Sequence, residues 1–202
     1  MSDSIVEISG APASEYLVSL AQAKGVLPSL SDSDLNDLIA QASAAIASYC
    51  SRSFGAVTAT ETFRLLNRAD ALVLSHYPVS SVAGIELDGV ALTSTGYEVD
   101  KKSGLVYRLG GDYRIPWCGV KCVVTYTAGY ELPASAPADL ARACLMQMQT
   151  MAATVGTDPR LRSESVEGIG SRSWVDPGNG GGALPAVVTG IVDAYRDLRV
   201  LA

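Results

Sequence analysis

The chain changes its hydrophobic period twice. Leu35, Leu38, Ile39, Ala42, Ile46 and Tyr49 recur at helical spacing. Ser31 precedes them with Asp34 three residues later, resembling a capping box in which Asp takes the usual place of Glu. Ala40, Ser43, Ala44, Ala47 and Ser48 fill most other positions, so a neighbour can approach closely. That neighbour is either the core of the same subunit or another subunit. A shorter helix is predicted over Glu15–Lys24, with Tyr16, Leu17 and Leu20 on its apolar face and Gly25 as its stop.

From Thr58 to Thr127 the period shifts to two. Strands are predicted over Glu61–Leu66 and over Val82–Leu87, which runs through an Asp88-Gly89 hairpin turn into Val90–Leu92. Tyr97–Val99 and Leu105–Leu109 flank a turn in which Gly104 is placed for positive φ. Val120, Cys122, Val124 and Tyr126 alternate with Lys121, Val123, Thr125 and Thr127 as a half-buried strand.

Helical spacing returns after Pro137, with Leu140, Cys144, Met148 and Met151 as a stripe and Gly156 as a stop. Its methionines read as flexible core filler or as an adaptable binding surface. Residues 157–183 hold six glycines around an isolated Trp174 and form a long arm, with weak alternation at Val166 and Ile169 that suits an extended arm or a hairpin. Trp174 either folds back on the core or anchors a neighbouring chain. A last helix is predicted from Pro185, with Val188, Ile191, Tyr195 and Leu198 as its stripe. Arg196 and Arg199 near its end either complement the helix dipole or contact a partner.

These elements predict one α+β, mainly α domain over residues 1–202. Helices over 15–50, 137–155 and 185–200 form a small bundle, an antiparallel β-sheet is inserted at 58–127, and the Gly-rich arm over 157–183 precedes the C-terminal helix.

Composition narrows the function. Hydrophobic residues make up 48% of the chain, enough for a core and too many for a disordered polymer. No apolar run approaches the ~20 residues of a membrane span. The acidic start Met1-Ser2-Asp3-Ser4 does not resemble a signal peptide, so folding in a cytoplasm is expected. Net charge is −6, which disfavours tight non-specific DNA binding and suits a surface past which DNA slides.

Candidate chemistry is sparse. Cys50, Cys118, Cys122 and Cys144 read as buried apolar thiols in a reducing compartment. A zinc site would need all four to converge, or three of them with His76, the single histidine. His76 has no Gly-x-Ser-x-Gly elbow to serve, and Gly178–Gly182 lacks the Gly-Lys-Ser/Thr of a phosphate loop. Asp32, Asp34 and Asp37 suit a helix start and lack the pattern of a calcium loop. No catalytic, cofactor or metal constellation is expected.

Several motifs follow one another in a fixed order: Leu35-x-x-Leu38-Ile39, the helix end Tyr49-Cys50-Ser51-Arg52, and Leu72–Val79, a strand and an x-Pro-Val step leading to the Asp88-Gly89 hairpin. The most specific stretch is Val123-Val124-Thr125-Tyr126-Thr127-Ala128-Gly129-Tyr130, then Leu132-Pro133 and Pro137-x-Asp139-Leu140-x-x-Ala143. This order resembles the head–tail connector, or adaptor, proteins of tailed bacteriophages, the head completion family. Glu164–Ser171 is similar to the family's arm. The resemblance implies a non-enzymatic part of the virion neck, made in the host cytoplasm. It implies a ring, a dodecamer, docked beneath the portal protein, lengthening the DNA channel and offering a platform to a stopper or tail-completion protein. It points to Tyr195, Arg196 and Arg199 as partner contacts, with Trp174 added by its setting. Two other classes stay open: a stopper or tail-terminator protein, which would be more purely β-rich, and a small hydrolase or thiol enzyme using Cys118, Cys122 or His76.

Overall fold

The computed structural model describes residues 3–154, 163–166, 170–173 and 184–197. They divide into two compact units, one of residues 1–14 and 53–131, the other of residues 15–52 and 132–202.

The first unit is built of strands. A five-stranded antiparallel sheet runs in the order β1 (Asp3–Gly10), β2 (Val57–Arg64), β9 (Lys121–Ala128), β4 (Val79–Leu87), β5 (Val90–Ala91). A second sheet is centred on β7 (Leu105–Gly110), which pairs with β3 (Leu72–Val73), β6 (Tyr97–Asp100) and β8 (Tyr113–Ile115). Alternation decides the faces of the long strands. Val57, Ala59, Glu61 and Phe63 of β2 and Cys122, Val124, Tyr126 and Ala128 of β9 are buried, while their neighbours are more exposed. On the other face Thr58 meets Thr127 and Thr60 meets Thr125, each pair with hydroxyls 3.3 Å apart. Such cross-strand pairs help hold register. Trp117 is fully buried in this core, and its indole N–H donates to the Val106 carbonyl at 3.0 Å.

Two turns behave as their residues predict. Asp88 (φ 51°) and Gly89 (φ 83°) both take the left-handed region, as a two-residue hairpin turn of this kind requires. Gly129 has φ 103°, and a Cβ there would collide with the Gly55 carbonyl. The chain needs that closeness because Tyr130 N–H donates to Phe54 O and Ala56 N–H to Tyr130 O, both at 2.8 Å.

The second unit holds the helices α1 (Leu20–Val26), α2 (Asp32–Cys50), α3 (Ala138–Thr154) and α4 (Ala186–Val192), plus the strands β10 (Ser163–Val166) and β11 (Gly170–Ser173). α2 packs on α3 and α1, and α4 packs on α3. Leu35, Leu38, Ile39, Ala42, Ser43, Ile46 and Cys50 of α2 are buried. Its small residues thus serve packing inside the subunit: Ser43 Oγ accepts from Leu17 N–H at 3.1 Å and lies 3.7 Å from the Cys144 sulfur. Ala44 and Ser48 stay exposed. On α3, Leu140, Ala143, Cys144 and Met148 are buried, so Met148 is core filler.

The expected mainly α class is wrong. The described residues hold eleven strands in three antiparallel sheets against four α-helices, of which two have only seven residues. β1 and β8 were not anticipated. β8 is too short to show a period, and β1 acquires its identity by pairing with β2 from a distant part of the chain. Helix bounds also shift. The first helix begins at Leu20, because Ser19 caps it: Ser19 Oγ accepts from Gln22 N–H, and Gln22 Oε1 accepts from Ser19 N–H at 2.8 Å. Gly25 lies inside that helix. At α2 the box is incomplete, since the shorter Asp34 side chain accepts from the Ser31 hydroxyl at 2.7 Å. The last helix ends at Val192 and passes into a 3₁₀ turn, Asp193–Tyr195, with Val188 and Val192 facing inward in place of Ile191. Of the arm, 163–166 and 170–173 pair as a hairpin, while Gly156 and Ile169 lie outside the described residues.

Candidate functional site

Two of the four expected contact residues fall within the described structure, and both are engaged by their own subunit. Tyr195, at the end of the 3₁₀ turn, donates to both carboxylate oxygens of Asp139, at 2.7 and 2.8 Å. Asp139 sits in the first turn of α3, where its Oδ1 also accepts from Leu140 N–H at 2.9 Å. The Arg196 guanidinium lies 5.2 Å from the Tyr49 ring centroid and 4.0 Å from the Asp193 carboxylate. Tyr49 in turn donates to Asp193 at 2.7 Å, and that bond raises its phenol above the ordinary value. Asp197 N–H donates to the Cys50 carbonyl at 2.9 Å, one residue before the left-handed cap Ser51. Together these contacts tie the chain's last described turn to the end of α2 and the start of α3. Arg196 is the C-cap of that turn, with ψ 136°. Trp174 and Arg199 lie outside the described residues.

Sequence reasoning missed Tyr49, Asp139 and Asp193 as members of this cluster. Their bonds span 144 and 56 positions, and no local pattern signals such pairs.

Cys122 is fully buried, and burial pushes its thiol up to about 12; the same cause takes Cys50 and Cys144 to about 11. Thiols so placed are protonated at neutral pH and are poor nucleophiles. Cys118 is exposed, which corrects the expectation of four buried thiols. His76 contributes its backbone N–H to the Tyr126 hydroxyl at 3.2 Å. Among the described residues no group of three His, Cys, Asp or Glu side chains could hold a metal ion.

That Tyr126 hydroxyl belongs to a buried polar knot. Glu61, with none of its surface exposed, accepts from Tyr126 OH (2.9 Å), Ser75 N–H (2.9 Å) and Ser75 Oγ (2.8 Å). Three donors converging on one carboxyl fix the Ser75–His76 segment leading into β4, a structural duty.

Besides Val73 and Tyr113 in the second sheet, apolar side chains of the first unit are exposed at two places in or beside the five-stranded sheet. At one end of the five-stranded sheet, Leu66, Val120 and Val90 are 79%, 70% and 67% exposed; Leu65 N–H donates to Val120 O there. Along β1, Ile5 and Ile8 are exposed. Contact with other molecules is a common reason for apolar exposure of this kind.

The family model for head completion proteins matches residues 24–153, the span from α1 through the first unit to α3. The chain belongs to the head completion protein family. The same fold occurs in solved chains from the neck of an empty gene transfer agent particle computed with C6 symmetry (19% identity, 98% of each chain covered, TM-score 0.58). It occurs too in the neck of the native particle computed with C12 symmetry (20%, 98% of each chain, TM-score 0.51) and in the virion of the native particle (18%, 98% of each chain, TM-score 0.54). No curated protein matches the chain. In this head completion protein the matched span contains Thr127-Ala128-Gly129-Tyr130, whose glycine makes the close approach to Gly55 possible.

Proposed function

We propose that this head completion protein is a structural adaptor of the neck of a phage-like particle. Copies form a closed ring beneath the portal protein, a dodecamer, which lengthens the DNA channel and presents a platform to a stopper or tail-completion protein. The chain works by shape and contact, without catalysis, cofactor or metal. The observation that carries the reading is the family match over residues 24–153, supported by a fold shared over 98% of the chain with chains from particle necks computed with C6 and C12 symmetry. Closed rings are the natural product of head-to-tail contacts that return on themselves. The net charge of −6 suits a lumen through which DNA moves without being gripped.

Helix content does not separate an adaptor from a stopper or tail-terminator here, because the described strands outnumber the helices. Binding does. Light scattering with and without the portal protein from the same genome should give a monomer alone and a ring-sized complex with portal. A chain that stays monomeric in both samples would overturn the adaptor reading.

A further inference from the structure

The five-stranded sheet has two edges, and they are built differently. The β4–β5 edge is guarded. β5 has two residues, β4 carries register irregularities at Val79/Ser81 and Val82/Gly84, and Lys101 Nζ donates to the Ser80 carbonyl at 3.1 Å. Short strands, bulges and lysines are devices that stop foreign strands from pairing. β1 has none of them from Asp3 to Ile8. Its register against β2 runs unbroken from Asp3↔Arg64 to Ile8↔Ala59, it contains no Lys or Pro, and Ile5 and Ile8 are 60% and 57% exposed. Among the described residues no strand pairs with its far side. An open edge of this kind is a template for an added strand.

The second unit holds the matching part. β10 and β11 pair with each other, Ser163↔Ser173 to Val166↔Gly170, and with no other described strand. A two-stranded hairpin alone is marginal in water, and addition to a larger sheet stabilises it. The two strands differ in charge. β11 (Gly-Ser-Arg-Ser) carries Arg172 and no acid, β10 carries Glu164, and β1 carries Asp3 and Glu7. Opposite charges on adjacent strands favour pairing and like charges oppose it.

We infer that hairpin β10–β11 of one copy adds to the β1 edge of the next copy, β11 against β1, extending the sheet from five strands to seven across the subunit boundary. The inference rests on the ring reading above and names the contact that builds the ring. The two patches differ, so the contact is head-to-tail and repeats around a cyclic assembly.

The test uses full-length protein carrying Ile5→Cys and Ser171→Cys, with the exposed Cys118 changed to Ser. The chain is mixed with portal protein, its mass is checked by light scattering, and a short bismaleimide is added. Covalent multimers are expected on a denaturing gel from the double variant in the complex, and monomers from either single variant. A ring-sized complex that yields only monomers, or only internally linked monomers, overturns the strand pairing and leaves the ring standing. Absence of any wild-type complex removes the ring reading, and this inference with it, before crosslinker is added. Should the variant alone fail to assemble, hydrogen exchange on the wild type decides. β1 amides should exchange at least tenfold more slowly in the complex than in the free chain, and unchanged exchange overturns the pairing.

Discussion

The hydroxyl of Tyr195 donates to both carboxylate oxygens of Asp139, joining the last described turn of the chain to the first turn of α3. Both residues remain partly in water, so the bond's net worth is that of an ordinary exposed one, about 0.5–1.5 kcal/mol. Tyr195→Phe should lower the unfolding free energy by that amount, read as a lower urea midpoint at an unchanged denaturant slope. If Tyr195 also serves a partner through its hydroxyl, the same variant should weaken portal binding beyond the loss of stability. Equal binding would confine the residue to the clamp.

Glu61 is the most demanding polar residue of the first unit. Glu61→Ala would remove the acceptor shared by the buried Tyr126 hydroxyl and the two half-buried Ser75 donors. Buried donors left without acceptors cost roughly 1–3 kcal/mol each, and relaxation will recover part of the sum. A loss of about 3 kcal/mol is expected by chemical denaturation, and a smaller one for Glu61→Gln. A neutral Glu61→Ala variant would contradict the knot.

The Asp88 turn predicts a pH dependence. Backbone N–H groups of Lys121 and Val120 donate to its carboxylate and lower its pKa below the ordinary value. With the folded value below the unfolded one, the contribution is present above the unfolded carboxylate range and is lost as pH falls through the folded value. The stability gap between wild type and Asp88→Asn should therefore narrow as pH drops from neutral to below 4. A gap that stays constant would mean that charge at Asp88 plays no part.

The thiols should divide one against three. Cys118 is exposed, and Cys50, Cys122 and Cys144 are buried. A thiol reagent should modify Cys118 quickly and the others only on unfolding, as mass spectrometry of the labelled chain would show. The buried thiols also have folded values raised to about 11 and 12. Their contribution is therefore full below the unfolded thiol range and is lost as pH rises through that range toward the folded values. Denaturation at pH 8 and pH 10 should show the chain weaker at the higher pH. Cys122→Ala should reduce that loss.

Local chemistry determined much of what can be read without coordinates. The heptad-like spacing from Leu35 to Ile46 buries those residues on α2, Asp88-Gly89 makes the hairpin turn, and the alternation around Val124 makes β9 half-buried. These signals are legible because each is written within one period of one element. The wording around Gly129 pointed to the family for the same reason, and the close approach to Gly55 supplies its physical cause. Long-range pairing decided the rest. β1 is a strand because β2 accepts it, Glu61 is buried because Ser75 and Tyr126 meet it, and Tyr195 is spoken for because Asp139 lies within reach. In each case both partners look ordinary along the chain. A polar residue's free energy depends on the groups that surround it after folding, and their position in the sequence does not reveal which those will be.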